Sequence, residues 1–249
     1  MKLVLSATLL ALAAPLAAHA QTVPAPIATA LGDAGRPAAD KDRDAARHPG
    51  EILAFAEVAP GEKVADFIMG GGYWTRILAG VVGPKGKVYA YQPAEFIKFR
   101  AAYADEQKAA VEGRANVVPS SDSLLSVAFP EPLDTIVTVQ NWHDLHLKAW
   151  PAGSAKAIAK KLYDSLKPGG VLLVIDHVAN ADPDFALPQT LHRIDPAAAR
   201  AEIESVGFKF DGELPLLRNA ADPHTANVFT PELRGKTDQF IYRFRKPKA

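Results

Sequence analysis

The chain has 249 residues, of which 48% are apolar and 22% charged; 28 basic side chains balance 28 acidic ones, and there is no cysteine. That profile suits one globular domain with a sizeable core and excludes a coiled coil or a disordered tail. Balanced charge lacks the basic footprint of a phosphate-neutralising surface, so no nucleic acid partner is expected, and without thiols there are no disulfides, thiolate metal sites or cysteine nucleophiles.

Residues 1–20, MKLVLSATLLALAAPLAAHA, place Lys2 before an uncharged run that is broken by Pro15 and ends in Ala18-His19-Ala20. This is the three-part pattern of a secretory signal peptide, with cleavage expected after Ala20. No other run reaches the ~18 apolar residues of a spanning helix, so no stable membrane insertion is expected after cleavage. The expected address is the periplasm of a Gram-negative bacterium. Residues 21–44, rich in Ala, Pro and charge, read as a tether leading into a domain that occupies 45–249.

Within that domain short apolar runs alternate with longer amphipathic ones, the pattern of parallel strands joined by crossover helices. Strands are expected over 63–68, 87–91, 115–118, 133–140, 171–176, 208–213 and 239–245, and helices over 73–82, 94–110, 152–166 and 196–206. The first strand runs into Gly70, Gly71 and Gly72, with Tyr73 opening the next helix. Such a turn brings backbone N–H groups and the positive end of a helix dipole to the carboxyl edge of the sheet, where open α/β sheets hold ligands. A tight turn with no ligand also uses glycine, so both readings stand at this point. Tyr73 is a candidate to face the ligand, whereas Trp74 reads as core.

The fourth strand leads directly into QNWHDLHL, which puts Asn141, His143, Asp144 and His146 on the same edge. His143 titrates near neutrality in its ordinary state and is the candidate general base, with Asp144 beside it. The alternative is that the pair fixes the loop by hydrogen bonds. HDLH together with Asp176 and His177 has side chains of metal-ligand type, but such groups gather by chance at loop-rich edges, and no metal is expected. His192 and Arg193 are candidates to line an acceptor pocket. Asp195, just before Pro196, reads as a helix N-cap.

The segments VADFIMGGG, KVYAYQP after VGPKG, LKPGGVLLVIDH and VGFKFDGE together resemble the class I S-adenosylmethionine-dependent methyltransferases. RHPGEILAF, GGGYWTRIL, NWHDLHL, LHRIDPAAARAEIESVGF and RGKTDQFIYRFRKP resemble an exported group within that family, so the likeness covers about residues 43–247. It implies an α/β fold with a single Rossmann-like domain, a mostly parallel seven-stranded sheet and helices on both faces. It also implies methyl transfer from S-adenosylmethionine to a small-molecule acceptor. Asp66, Gly70 and Gly72 match the family's acidic strand end and glycine turn, and the resemblance places the cofactor against Asp66, Gly70, Gly71, Gly72, Tyr73, Gln92, Asp122 and Asn141. Asp122 stands where the family directs a polar side chain toward the adenine amino group; a helix cap is its other reading.

Two positions depart from the pattern. Ile68 replaces the first glycine, and its branched side chain is expected to crowd the backbone there. Gln92 replaces the acid that accepts hydrogen bonds from the ribose hydroxyls, and a neutral acceptor is weaker by ~1 kcal/mol. In-line methyl displacement needs positioning and a dry pocket more than a catalytic triad. Because this cofactor is made in the cytoplasm, a second reading is kept: a non-catalytic small-ligand-binding protein that retains the fold. A nicotinamide-dependent oxidoreductase fits less well, since its fingerprint needs glycine or alanine where Thr75 stands.

Overall fold

Apolar side chains at successive strand positions give this sheet two buried faces, and the helices divide between them. In a computed structural model that describes residues 22–248, the strands are β1 (Lys63–Phe67), β2 (Lys87–Tyr91), β3 (Val117–Ser120), β4 (Leu133–Val139), β5 (Leu166–His177), β6 (Lys209–Glu213) and β7 (Gln239–Arg245). The expected signal peptide lies outside the described residues. The sheet order is β3-β2-β1-β4-β5-β7-β6. β1 to β5 pair in parallel, and β7 runs antiparallel to both β5 and β6. Strand order reverses between β1 and β4, which opens a crevice at their carboxyl ends.

The helices are α1 (Ala25–Leu31), α2 (Ala38–Lys41), α3 (Asp44–Arg47), α4 (Pro49–Phe55), α5 (Tyr73–Val82), α6 (Ala94–Phe99), α7 (Ala102–Val111), α8 (Ser154–Ser165), α9 (Pro188–Leu191) and α10 (Pro196–Ser205). Among the described residues no helix is long and apolar enough to cross a membrane. On β5, Leu173 and Ile175 join one core with Ile27, Leu53, Ile77 and Ala110 from α1, α4, α5 and α7. The intervening Leu172 and Val174 join the other core with Ile158 and Ile203 from α8 and α10. This two-residue alternation is what a sheet covered on both faces demands.

The expected tether is folded. α1 buries Ile27 and Ala30 to 1% and 4% exposure, and Ala30 packs so closely on α5 that a Cβ added at Gly80 would come within 2.8 Å of it. Arg36 holds Asp44 with two hydrogen bonds of 2.7 and 2.8 Å, and Arg76 of α5 reaches back to Asp40 at 2.6 Å. Val23, Ile27, Ala30 and Leu31 share one helical face, a pattern that the surrounding Ala, Pro and charge conceal. The expected helix over 94–110 is two helices, because Arg100 adopts an extended backbone at φ −136°. β5 starts five residues earlier than expected because its first residues are held from outside: Leu166 pairs with Leu133, and Gly169 donates to the Lys246 carbonyl.

Candidate functional site

The turn after β1 begins with Ile68 in the left-handed region at φ 63°. A β-branched residue there is strained by ~1–3 kcal/mol. Its side chain does not crowd the turn from outside; it is 3% exposed and packs into the β5 core with Phe67 and Trp142. The left-handed backbone is accommodated because the branched atoms go inward.

Two of the three glycine amides are engaged within the protein. Gly70 donates to Gln92 Oε1 at 2.8 Å, and Gly72 donates to the Met69 carbonyl at 3.1 Å. Gly71 remains exposed. The three positions also differ in the room beside them. A Cβ on Gly70 would meet nothing within 4 Å, whereas one on Gly72 would lie 2.5 Å from Ala110 Cβ. Gly72 therefore serves helix packing, and open space adjoins Gly70. Gln92 is fully buried, and its Nε2 has no hydrogen-bond partner.

Asp66, 2% exposed, accepts from Thr75 Oγ1 at 2.6 Å. Burial pushes its pKa up to about 6, against the opposing hydrogen bonds from Thr75. The folded state therefore holds a proton that the unfolded chain releases near pH 4, so this group's contribution to stability falls as pH rises from about 4 to about 6 and stays low above that. Asp66→Asn should be more stable than the parent by ~1–3 kcal/mol at pH 8, with the gain gone at pH 4, as read from urea unfolding at the two values.

Tyr73 does not face the crevice. It is 3% exposed, donates to Asp44 Oδ1 at 2.7 Å, and lies among the guanidiniums of Arg36, Arg43 and Arg47, 4.8–5.7 Å from its ring centre. The helical N-terminal segment has claimed it. Asp122 is exposed at the carboxyl end of β2, where its carbonyl accepts from Tyr91 Oη and the Ala94 amide. It is not a cap. The Glu95 carboxylate does that work on Leu124 N–H and Ser123 Oγ, a role that sequence reading missed. Asn141 donates from Nδ2 to the carbonyls of Ile68 at 2.9 Å and Val139 at 2.7 Å, tying the glycine turn to the end of β4.

Two residues further on, His143 is buried, with Nδ1 2.8 Å from Asp176 Oδ1 and its backbone N–H donating to Asp176 Oδ2 at 2.8 Å. Its Nε2 lies 3.3 Å from Asp144 Oδ1, and His192 Nδ1 is 3.8 Å from that same oxygen. Burial alone would lower the His143 pKa, but the carboxylates of Asp176 and Asp144 outweigh it and raise it well above the ordinary value. The ring is thus held between two carboxylates, an arrangement that suits the loop-fixing reading of His143 and Asp144 as well as the general-base one. Burial raises the Asp144 pKa, but His143 and His192 overcome that and hold it down at about 2.

The other candidates point elsewhere. His146 bonds Glu202 at 3.1 Å and stacks on Phe185. His177 bonds Thr237 Oγ1 at 2.7 Å, and burial lowers its pKa to about 4. Arg193 is fully buried against Asp222. Asp195 caps α10, as its position before Pro196 indicated, by accepting from Ala197 N–H at 2.8 Å. Asp176 is the orienting residue, brought to His143 by the β4–β5 pairing across 33 positions of sequence.

No family model matches the chain. Over 126 residues, 51% of its length, it is 27% identical to the demethylmenaquinone methyltransferase of Geobacillus stearothermophilus, and that match spans about half of the relative, 50%. Among solved structures, an S-adenosylmethionine-dependent methyltransferase from Aquifex aeolicus is similar with a TM-score of 0.56 and 18% identity, over 84% of this chain and 95% of that one. The 4+2 cyclase SpnF is similar with a TM-score of 0.57 and 18% identity, over 87% and 85%. These likenesses establish the α/β fold with its seven-stranded, mostly parallel sheet, a fold that carries both a methyltransferase and a cyclase.

Proposed function

We propose that the chain is an S-adenosylmethionine-dependent methyltransferase acting on a small molecule in the periplasm. The observation that carries this reading is Gln92 Nε2, a buried donor without a protein acceptor whose own Oε1 is fixed by Gly70, the glycine beside open space. A ribose hydroxyl oxygen would supply the missing acceptor, so the residues present suit an adenosyl group, with a donor where the family has an acid. Asp122 offers a carboxylate to an adenine amino group, while Gly71 and the N-terminal end of α5 offer a positive dipole. When bound, the cofactor supplies an electrophilic methyl group. The chain's own contribution lies in positioning: Asn141 fixes the turn against β4, and Asp176 fixes the His143 ring at the same edge. The partial likeness to a methyltransferase supports the reaction class, and the signal-like residues 1–20 support the compartment.

Gln92→Glu should tighten S-adenosylmethionine binding by about 5–10-fold in a calorimetric titration, because one carboxylate oxygen can keep the Gly70 N–H while the other, standing where Nε2 now donates, accepts a charge-assisted bond from a ribose hydroxyl. An unchanged or weaker affinity would place the ribose elsewhere.

The second reading is a non-catalytic protein that holds another small ligand in the same crevice. It is favoured by the Gly70 and Gly72 amides being engaged internally. Native mass spectrometry of chain purified from periplasm separates the two. A co-purifying adenosyl compound supports the enzyme, and a co-purifying ligand without adenosine supports the binding protein.

A further inference from the structure

Three side chains at the sheet's carboxyl edge converge without a ligand among them. His143 Nε2, an Asp144 carboxylate oxygen and a His192 ring nitrogen all lie within 4.8 Å of one another, and two of the separations are 3.3 and 3.8 Å. Around a tetrahedral ion with bonds of about 2.0–2.2 Å, donor atoms sit roughly 3.3–3.6 Å apart. The third separation lies within 4.8 Å, and His192, whose side chain is 29% exposed while that of His143 is 4% exposed, is the ligand with room to adjust.

We propose that His143, Asp144 and His192 bind one divalent transition-metal ion of the zinc class. The positions of the surrounding groups support the assignment. Asp176 engages Nδ1 of His143, which reserves Nε2 for the ion and supplies the outer carboxylate that orients metal-binding histidines. Asp176 is itself fixed by the backbone N–H groups of His143 and His177. The Asp144 carbonyl accepts from Trp150 Nε1 at 2.7 Å, which anchors the short turn that carries both ligands. His192 sits at φ 52°, next to an Arg193 that is buried and bonded on both sides to Asp222, so its backbone position is set from behind.

The donor set of two imidazoles and one carboxylate, in a chain without cysteine, suits zinc, cobalt, manganese or iron(II) and not copper(I). Three protein ligands leave a coordination position on the exposed His192 side for water or an oxygen of the acceptor. The site differs from the grouping that the sequence suggested, because His146 and His177 are engaged by Glu202 and Thr237. It uses none of the glycine-turn residues and holds whether or not the crevice takes an adenosyl ligand.

The test is titration of purified, untagged, chelator-stripped chain with Co²⁺, followed by Zn²⁺. One equivalent of Co²⁺ should give visible d–d absorption of low-coordinate intensity, and Zn²⁺ should abolish it. His192→Ala and Asp144→Asn, checked for folding by circular dichroism, should lose the band and bind at least about tenfold more weakly. Asp176→Asn should keep the stoichiometry and weaken binding by about 10–100-fold. His48→Asn, in the turn between α3 and α4 and outside the cluster, should bind as the parent does. Absence of the band in the parent, its survival in His192→Ala, or its loss in His48→Asn would overturn the assignment.

Discussion

Arg193→Leu should destabilise the fold by about 3–5 kcal/mol, the range for removing one member of a buried ion pair. Arg193 and Asp222 both have fully buried side chains. Arg193 makes two bonds to Asp222, at 2.8 and 3.0 Å, and donates to the carbonyls of Val178 and Ala226. Leucine would leave those carbonyls unpaired and the carboxylate buried without its cation. Asp222 would keep only the N–H groups of Asp238 and His224. Burial favours the neutral acid, and in the parent Arg193 overcomes it and holds the Asp222 pKa down. In the variant that pKa rises, so the deficit should shrink in acid as the carboxyl takes up a proton. Urea unfolding at pH 7.5 and pH 5 reads both effects. Arg193→Leu combined with Asp222→Leu should recover part of the loss, because no charge is then stranded. An Arg193→Leu variant as stable as the parent would show that the network is not buried as described. Since Arg193 anchors the backbone behind His192, the same substitution should also disturb the proposed metal corner.

Gly72→Ala and Gly70→Ala should behave differently although they are two residues apart. At Gly72 the backbone has φ 79°, and a Cβ would lie 2.5 Å from Ala110 Cβ and 3.1 Å from Met69 Cε. Left-handed strain and overpacking between α5 and α7 act together there, for an expected loss of about 2–4 kcal/mol. Gly70 has φ 54° and open space beside it, so alanine carries only the backbone strain of ~1–2 kcal/mol. Ligand binding should show the reverse order. The methyl of Gly70→Ala occupies the space assigned to the adenosyl group and should weaken S-adenosylmethionine binding by more than about tenfold, whereas Gly72→Ala, where it folds, should change affinity less. Thermal unfolding with and without ligand measures both quantities. Equal stability losses, or an unaffected Gly70→Ala affinity, would refute this division of roles.

Much of the architecture was legible in the chain. The ranges of α5, β2 and β7 agree with expectation to the residue, because each is a strongly patterned apolar segment bounded by glycine, proline or charge. Asp66, the glycine turn and the HDLH segment do meet at one edge, since a parallel sheet delivers every strand's carboxyl end there. What could not be read were interactions between distant positions. Gln92 takes the Gly70 amide from 22 residues away, and Asp176 orients His143 from 33 away. Asp44 claims the Tyr73 hydroxyl from a segment that resembled a tether. Composition hid α1, because four buried or half-buried apolar positions among prolines and alanines make a weak periodic signal. Ile68 was expected to crowd the backbone of the turn, yet at its positive φ the side chain is taken up by the core.

We propose that an adenosyl ligand occupies the crevice between Gly70, Gln92 and Asp122. Calorimetric titration of the purified chain with S-adenosylmethionine tests it most directly. Saturable binding of one ligand per chain in the micromolar range, tightened by Gln92→Glu, is expected; no heat of binding at millimolar ligand, with parent and variant alike, would overturn the adenosyl assignment.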